Sequence, residues 1–399
     1  MKNHVIFVSS LCSNKVFEYI RRTSTGKSGQ AIQKFHDLIT QGLALQQENN
    51  IETLSSLPIS PSSNNRRVWN LNKEQNKGVT FSYILTINMP LFKRSIDFFY
   101  TFFKILFWKI LTSNSKKTVI VDALKLSPSF GVFLACKIRR INLISIVTDM
   151  PGISVADESI TKRLKAKIIK SFLTKSDGYI LITKQMNSVV NPRNKPYMIM
   201  EGMVDNNMKP IKNIITEKAK ERILIYSGGI FERYGIKNLI DGFIKLKDLD
   251  IRLHIYGSGP MEVDMPKYMK LDSRIIYMGV VSNQILVMRQ MKATLLINPR
   301  PTVEEFTQYS FPSKNMEYMV SGTPTVTTLL PGMPNEYLPY VYLLRDESVK
   351  GIHEVLFKLL KTPQAELHAF GIKAKDFVLE NKNNFIQGER ITHLIKGIK

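Results

Sequence analysis

The feature that most constrains the fold is a series of short apolar runs that end directly in glycine or in Asn-Pro. In the second half of the chain, Arg222–Tyr226 runs into Ser-Gly-Gly and Arg252–Tyr256 runs into Gly-Ser-Gly. Arg274–Met278 and Ala293–Ile297 follow the same pattern, and helical periodicity covers 236–248 and 314–321. Short buried strands that alternate with helices are typical of parallel α/β sheets.

The first half has the same alternation, with a less regular connection. Gly29–Gln46 predicts a helix, and residues 54–77, rich in Ser, Pro and Asn, predict an irregular segment. The last helix is predicted from about Phe377 to Ile398. The apolar runs that predict strands here are Val5–Ser9, Thr118–Asp122, Asn142–Thr148 and Gly178–Ile182.

Two successive α/β sheets, with a change near 202–212, predict two Rossmann-like domains that face each other across a cleft. The expected boundaries are a first domain over 1–205 and a second domain over 206–376. Residues 377–399 are expected to pack back towards the first domain.

The charge of the 399-residue chain is strongly basic and unevenly distributed. The formal net charge is +23, and residues 1–200 carry 29 Lys and Arg against 11 Asp and Glu. Such a field attracts nucleic acid, an anionic bilayer or a phosphorylated substrate, although solubility alone is an alternative explanation. Two cysteines and six histidines without metal-ligand spacing argue against a disulfide framework and a zinc site.

The segment Pro90–Leu111 is dense in Phe, Ile and Leu but carries four basic residues, Lys93, Arg94, Lys104 and Lys109. No run reaches the length of a membrane span, and no secretory signal is evident. The segment fits a helix that lies in the headgroup plane of a membrane. It also fits a buried helix whose lysines extend to the surface.

Two strand-to-glycine junctions are candidates for binding an anionic ligand. Gly228 and Gly229 follow the first strand of the second half, and Gly257 and Gly259 follow the next. Glycines allow the backbone to turn tightly and to approach a phosphate, and parallel strands place their ligands at the carboxyl ends. Arg233 supplies positive charge for a diphosphate. A strand-ending glycine pair can also be only a turn.

A third junction adds a loop that leads into a helix. Asn298-Pro299-Arg300 ends a strand, and Ser313 begins a helix that carries Lys314 and Glu317. The free amides at the start of a helix and the lysine suit phosphate oxygens. Glu317 lies among apolar neighbours, so that its carboxylate needs hydrogen-bond donors, either ribose hydroxyls or local backbone.

The segment Phe311–Val326, which reads F-P-S-K-x-x-E-Y-x-x-S-G-x-P-T-V, closely resembles the donor-binding signature of retaining GT-B glycosyltransferases of the family 4 type. Tyr226–Gly235, Ile255–Pro260 and Ile297–Arg300 resemble the glycine loop, the glycine turn and the strand end of that family. Asp177–Asp205 resembles the stretch that joins the two domains. The resemblance implies a GT-B fold, with the nucleotide sugar bound by the second domain and the acceptor by the first.

The resemblance also implies roles for individual residues. Glu317 matches the second glutamate of the family's E-x7-E motif, which holds the donor ribose, whereas Tyr309 stands where the first glutamate is expected. Arg233 and Lys314 are then assigned to the diphosphate. The remaining donor-binding residues are Gly228, Gly229, Gly257, Gly259, Arg300, Tyr309, Phe311, Pro312 and Ser313.

Asp149 follows a strand of the first domain and resembles the position at which the family places a polar side chain near the donor sugar and the acceptor. It is the candidate acceptor-side carboxylate; a turn cap before Pro151 is the alternative. No D-x-D cluster follows a strand, so no metal and no cofactor are expected, and the nucleotide sugar is a substrate.

The implied activity is retaining, metal-independent transfer of a sugar to a saccharide acceptor, with a polyprenyl-diphosphate-linked acceptor expected. The chain is then expected to act in capsule or O-antigen polysaccharide biosynthesis, in the cytoplasm and peripherally on the inner face of the plasma membrane. A GT-B nucleotide-sugar epimerase and a non-catalytic basic binding protein are the alternatives. No recognition-helix, RRM or zinc-finger pattern supports nucleic acid as a partner.

Overall fold

A computed structural model describes residues 2–25, 30–111, 116–151, 153, 160–247 and 250–398, with the backbone alone for 109–111 and 160–163. The chain divides into two compact units. The first comprises Met1–Met203 and Asn384–Lys399, and the second comprises Val204–Asn383. Within the described residues, no helix combines the length and the apolar character that a membrane span requires.

The first unit is a doubly wound α/β unit. Its strands are β1 (Asn3–Ser9), β2 (Asn49–Ser55), β3 (Val68–Trp69), β4 (Glu74–Asn76), β5 (Val79–Tyr83), β6 (Thr86–Ile87), β7 (Lys116–Asp122), β8 (Asn142–Val147), β9 (Gly178–Leu181) and β10 (Tyr197–Ile199). Its helices are α1 (Asn14–Thr23), α2 (Gln30–Ala44), α3 (Pro90–Leu111), α4 (Leu126–Arg139), α5 (Ile160–Leu173), α6 (Lys184–Val190) and, at the end of the chain, α13 (Asn384–Gly397).

The main sheet of this unit has the strand order β10-β9-β8-β7-β1-β2-β5-β4, parallel except for β4, and β3 pairs with β6. The central strands are almost continuously apolar because helices cover both faces of a parallel sheet. The last helix, α13, crosses α2 at two glycines, where a Cβ on Gly388 would lie 2.1 Å from the Gly42 carbonyl oxygen. Ile391 and Ile395 of α13 thereby join the core of the unit.

The second unit is also doubly wound. Its strands are β11 (Arg222–Gly229), β12 (Ile251–Ser258), β13 (Ile275–Gly279), β14 (Leu295–Asn298), β15 (Thr325–Thr328) and β16 (Tyr342–Leu344). Its helices are α7 (Ile236–Ile244), α8 (Met265–Leu271), α9 (Asn283–Lys292), α10 (Ser313–Ser321), α11 (Val349–Lys361) and α12 (Gln364–Asn381). The six parallel strands have the order β13-β12-β11-β14-β15-β16.

The strand order reverses between β11 and β14, because the chain moves outwards from β11 to β13 and then returns to the other side of β11. Such a topological switch point opens a crevice at the carboxyl ends of the strands, and ligands of doubly wound sheets bind there. The glycine junctions and Asn298-Pro299-Arg300 follow the strands at this edge.

The predicted strands and helices are confirmed with shifts of a few residues at their ends, and Gly29, the predicted first residue of α2, lies outside the described residues. Two predictions were wrong. Residues 68–69 and 74–76, expected to be irregular, form the short strands β3 and β4. The single helix expected from Phe377 is two helices, because α12 ends at Asn381 and α13 begins at Asn384. The intervening Lys382 and Asn383 hydrogen-bond to the last turn of α12 instead of continuing it.

Candidate functional site

The two glycine junctions lie side by side at the carboxyl edge of the second sheet. Gly228 of β11 is in register with Gly257 of β12. A Cβ on Gly257 would lie 1.8 Å from the Gly228 carbonyl oxygen, and the φ of Gly257 is +127°. The two backbones therefore approach as closely as only glycine allows.

The loops beyond these strands are tied to each other by their backbones. The Ile230 amide donates to the Ser258 carbonyl at 2.9 Å, and the Met261 amide donates to the Ile230 carbonyl at 3.2 Å. A Cβ on Gly259 would lie 2.3 Å from the Ile230 carbonyl oxygen, and one on Gly229 would lie 2.9 Å from the Phe231 ring. The predicted glycines thus lie together at the strand ends, where neighbouring backbone and the rings of Tyr226 and Phe231 leave no room for a Cβ.

Two of the predicted cationic residues converge on a tyrosine that the sequence did not single out. The guanidinium carbon of Arg300 lies 4.4 Å from the centroid of the Tyr234 ring, and that of Arg233 lies 5.4 Å from the same centroid. Arg233 also lies over the Phe231 ring at 5.2 Å. Stacking on aromatic faces holds a guanidinium in a fixed position. Positive charge from two loops is concentrated beside β11 and β14, the strands of the switch point.

The backbone around Tyr234 explains how the two loops meet. Gly235, which follows Tyr234, has a φ of +79°, and a Cβ there would lie 2.1 Å from the Pro299 carbonyl oxygen. The Thr328 hydroxyl donates to the Arg300 carbonyl at 2.6 Å, and the Thr302 amide donates to the Glu347 carboxylate at 3.0 Å. The segment after β14 is therefore held in place from both sides.

The start of α10 is anchored next to β14 by a buried chain of amides. Asn298 Nδ2 donates to Asn315 Oδ1 at 2.8 Å, and Asn315 Nδ2 donates to Thr327 Oγ1 at 3.2 Å. Pro312 occupies the N-cap position and no side chain caps the helix. The first amides of a helix have no partner within it, and the helix dipole adds partial positive charge. The amides at Ser313 and Lys314 have no capping side chain, and Ser313 is exposed; that they bind an anion stays a prediction.

Tyr318 fixes the distance between α10 and the glycine strand. Its side chain is fully buried, and its hydroxyl accepts from the Ser227 amide at 2.8 Å and donates to the Ser227 carbonyl at 3.1 Å. Ser227 directly precedes Gly228. In the sequence, the signal for this contact is the tyrosine that follows Glu317 in the donor-binding signature.

Lys314 and Glu317, both predicted donor ligands, form an ion pair on one face of α10. Lys314 Nζ lies 2.7 Å from Glu317 Oε2. Burial lowers the pKa of Lys314, but the charge and hydrogen bond of Glu317 outweigh burial, so that the pKa stands above its usual value. The ammonium therefore stays charged at neutral pH, and the carboxylate one turn into the helix is fixed beside it. Their roles towards diphosphate and ribose stay predictions.

Phe311 and Tyr309 differ in their surroundings. Phe311 is buried, with its ring 5.0 Å from that of Tyr337, and so supports the loop from inside. Tyr309 ends a 3-10 turn, Glu305–Tyr309, and is half-buried. The hydroxyl of Thr307 donates to the carbonyls of Thr302 and Glu304, which closes this turn. The loop is ordered without a glutamate at position 309.

Asp149 belongs to the first unit and is exposed two residues beyond the end of β8. The strand therefore delivers the carboxylate to the carboxyl edge of the first sheet, as expected from the sequence. Its predicted role towards an acceptor stays a prediction.

One cavity of the second unit is separate from these residues. A cavity of about 850 Å³ lies between residues 206–215 and α12, and none of the predicted site residues lines it. Among the described residues, no group of three or more His, Cys, Asp or Glu side chains is arranged to hold a metal ion.

The second unit matches a known protein family. Residues 221–362, which take in the sheet from β11 to β16, match the family model described as Glycosyl transferases group 1. A search of the curated proteins gave no match.

The whole chain is similar to solved structures of low sequence identity. Sucrose-phosphate synthase from Thermosynechococcus elongatus is 13% identical, with a TM-score of 0.70 and 98% of each chain covered. The lipopolysaccharide outer core galactosyltransferase WaaB, in its apo form, is 13% identical, with a TM-score of 0.62, 98% of this chain covered and 99% of that one.

HepE of Anabaena, solved in complex with UDP, is 10% identical, with a TM-score of 0.65, 99% of this chain covered and 100% of that one. These similarities establish the α/β fold with two Rossmann-like domains. Together with the family match, they support a glycosyltransferase.

Proposed function

We propose that this chain is a retaining glycosyltransferase of the family 4 type, which transfers a sugar from a nucleotide sugar to a saccharide acceptor. The observation that carries the proposal is the edge of the second sheet at its switch point. There, two glycine junctions pack backbone to backbone, Arg233 and Arg300 share the ring of Tyr234, and α10 begins with free amides. A nucleoside diphosphate with an attached sugar has the size and charge for such an edge.

A uridine diphosphate sugar is the proposed donor. The UDP in the Anabaena structure supports this choice, because that protein has the same fold over its full length. Glu317 would accept hydrogen bonds from the ribose hydroxyls. The sugar would be held by the backbone amides of Phe311 and Ser313 and by the hydroxyl of Tyr309. Tyr309 stands where the related signature has a glutamate.

Catalysis requires stabilisation of the departing diphosphate and of an oxocarbenium-like sugar. Arg233, Lys314 and the backbone N–H groups of Gly228, Gly229, Phe311 and Ser313 would surround the leaving group. We propose that these groups act without a metal or other cofactor. A phosphate oxygen of the donor would help to deprotonate the acceptor hydroxyl on the same face, which retains the anomeric configuration.

The proposed acceptor is a polyprenyl-diphosphate-linked saccharide at the inner face of the plasma membrane, in capsule or O-antigen assembly. Its support is the basic first half of the chain, which would attract both a diphosphate and an anionic membrane. Asp149 is the proposed acceptor-side carboxylate.

The test is a panel of UDP-, GDP-, dTDP- and ADP-linked sugars incubated with the protein and a bacterial lipid extract, with release of the nucleoside diphosphate measured. We expect release from UDP-sugars and a fall of about a hundredfold in kcat/KM for Glu317→Ala, since a carboxylate hydrogen bond to a bound hydroxyl is lost. Glu354→Ala is the matched control, because Glu354 pairs with Lys350 on the exposed face of α11. No release from any donor, together with no nucleotide binding by calorimetry, would refute the proposal.

A further inference from the structure

The outer face of α3 carries a continuous row of phenylalanines, here called the aromatic ridge: Phe92, Phe99, Phe103 and Phe107. Their exposed fractions are 55%, 54%, 47% and 50%. The rings of Phe99, Phe103 and Phe107 stack in sequence, with centroids 6.4 and 6.1 Å apart. At 1.5 Å per residue the ridge is about 22 Å long. Single exposed apolar residues are ordinary, whereas a contiguous row marks a surface that binds something.

Three charged residues of α3, namely Lys93, Asp97 and Lys104, contact the rest of the first unit, whereas Arg94 is exposed. Lys93 Nζ donates to the carbonyls of Leu57 at 2.6 Å and Ile59 at 2.7 Å. Lys104 Nζ lies 3.2 Å from Glu52 Oε1, and buried Asp97 accepts from the Ser56 hydroxyl at 2.7 Å. Lys93 and Lys104 are therefore half-buried and bound to groups of the same unit. The outer face is mainly aromatic, whereas the outer face of a surface helix in a globular protein is normally polar.

Aromatic contacts connect α3 to the two neighbouring helices. The ring of Phe98 on α3 lies 5.8 Å from that of Phe130 on α4, which lies 6.5 Å from that of Phe172 on α5. Phe130 is itself 39% exposed. Phe172 is buried, so these ring contacts pack α3, α4 and α5 side by side, and Phe130 adds exposed apolar area next to the ridge.

The outer face of α5 combines apolar and basic residues. Leu164 and Ile168, one turn apart, are 58% and 42% exposed. Lys165 and Lys167 stand next to them and are also exposed. The sequence of Ile160–Leu173 contains five Lys and Arg and no acidic residue. An apolar stripe bordered by lysines is typical of a helix that lies in the headgroup region of a bilayer.

We propose that the aromatic ridge and the outer face of α5 dock together on the surface of an anionic lipid bilayer. This deepens the membrane-surface part of the proposed function and rests on it. The argument for lipid rather than a protein partner is charge complementarity. Apolar side chains that insert and lysines that meet anionic headgroups act together at such a surface, and the first half of the chain carries a large positive excess.

The first test is co-sedimentation of the full chain with vesicles of phosphatidylcholine containing phosphatidylglycerol, compared with pure phosphatidylcholine. We expect binding to the anionic vesicles that weakens as salt is raised. The triple variant F99S/F103S/F107S should bind about tenfold more weakly or worse, because three inserting rings are removed. The matched control is L45S/Y197S/F385S, three exposed apolar residues of the same unit outside α3, α4 and α5.

A second measurement is independent of whether the triple variant folds. In Phe103→Trp, the added tryptophan should shift its emission to shorter wavelength with anionic vesicles and be quenched by brominated lipid. The proposal is overturned if Phe103→Trp shows neither change, or if the triple and control variants bind vesicles equally. The proposal is also overturned if the wild-type chain and the control variant are dimers while the triple variant is a monomer. A second copy of the chain would then cover the ridge.

Failure of this inference can be separated from failure of the proposed function. Glu317→Ala should bind anionic vesicles as the wild type does while losing transfer activity. Conversely, the triple variant should retain donor turnover with a short-chain acceptor in detergent. If the wild type binds vesicles but turns over no donor, the proposed docking surface is supported and the proposed transferase function is refuted.

Discussion

His36 is the most deeply buried histidine of the first unit. Burial of an ionisable side chain away from water shifts its pKa. His36 lies on α2 with no exposed surface, and its ring packs edge-on against that of Phe7 at 5.2 Å. Burial lowers the pKa of His36 to about 4, while Asp122 raises it and Lys125 lowers it. The imidazole is therefore neutral in the folded protein at pH values where an exposed histidine would be partly charged.

The pH dependence of stability follows from that shift. The unfolded chain binds a proton near the ordinary pKa of 6.5 and the folded chain only near 4, so stability is complete above pH 6.5 and falls as the pH drops towards 4. About 3 kcal/mol is lost across this window. His36→Leu should remove most of the slope between pH 7 and pH 5, measured by urea unfolding at several pH values with tryptophan emission. An unchanged slope would show that other groups carry it.

At the scale of elements, the pairing of β11 with β12 determines the candidate donor site. The carboxyl ends of these strands are closed by Gly228 and Gly257, which leave no room for a side chain between them. The strands deliver their loops to the edge, and Tyr318 sets α10 against the same strand. The site is therefore a product of strand packing as much as of loop sequence.

Replacing Gly257 with alanine tests this packing. A Cβ would meet the Gly228 carbonyl at 1.8 Å with φ at +127°, so Gly257→Ala should lower the free energy of unfolding by about 2 to 4 kcal/mol. Gly279→Ala is the control, since Gly279 has a φ of +63° but no atom within 4 Å, and it should cost about 1 kcal/mol. Urea unfolding followed by far-ultraviolet circular dichroism measures both. Equal losses would contradict a role for the strand contact.

The elements that sequence analysis predicted are those whose signal is local. Buried parallel strands that end in glycine are apolar and short, so β11, β12, β14 and the loop into α10 could be found from residue order alone. The inward direction of Lys93 and Lys104 could not be predicted from the sequence. It depends on Glu52 and on the carbonyls of residues 57 and 59, which are distant from these lysines in sequence. Likewise β3 and β4 form only through pairing with β6 and β5.

The candidate site shows the same division. Its glycines, Arg233, Arg300, Lys314 and Glu317 were predicted from motifs. Tyr234, which both arginines contact, and Glu347, which holds the loop after β14, were missed. Both residues act at contacts between segments that are distant in sequence. The spacing of residues in the sequence does not predict such contacts.

At the scale of the whole molecule, the two units have separate cores and different spectroscopic probes. The buried clusters of the two units share no residue. Both tryptophans of the chain, Trp69 and Trp108, lie in the first unit. Tryptophan emission therefore reports on the first unit, whereas hydrogen exchange of β11 and β12 reports on the second.

Donor binding should stabilise one unit selectively. At a UDP concentration of a hundred times its Kd, we expect about 2.7 kcal/mol of added protection for amides of β11, β12 and α10. The urea midpoint seen by tryptophan emission should not move. Arg233→Ala should reduce the added protection, and Lys237→Ala, which removes an exposed pair with Asp241 one helix turn further on, should leave it unchanged. A shift of both probes together would show that the two units unfold as one.

The close crossing of α2 and α13 at Gly42 and Gly388 has a consequence for biosynthesis. The first unit is closed by residues that follow the entire second unit in the chain. On the ribosome, the strands of the first sheet emerge early, but the helix that covers α2 is translated only after residue 383. The second unit, continuous in sequence, is able to complete its fold first. Until α13 is synthesised, the apolar surface of α2 that it covers stays exposed. Exposed apolar surface on a nascent chain is what chaperones bind during translation.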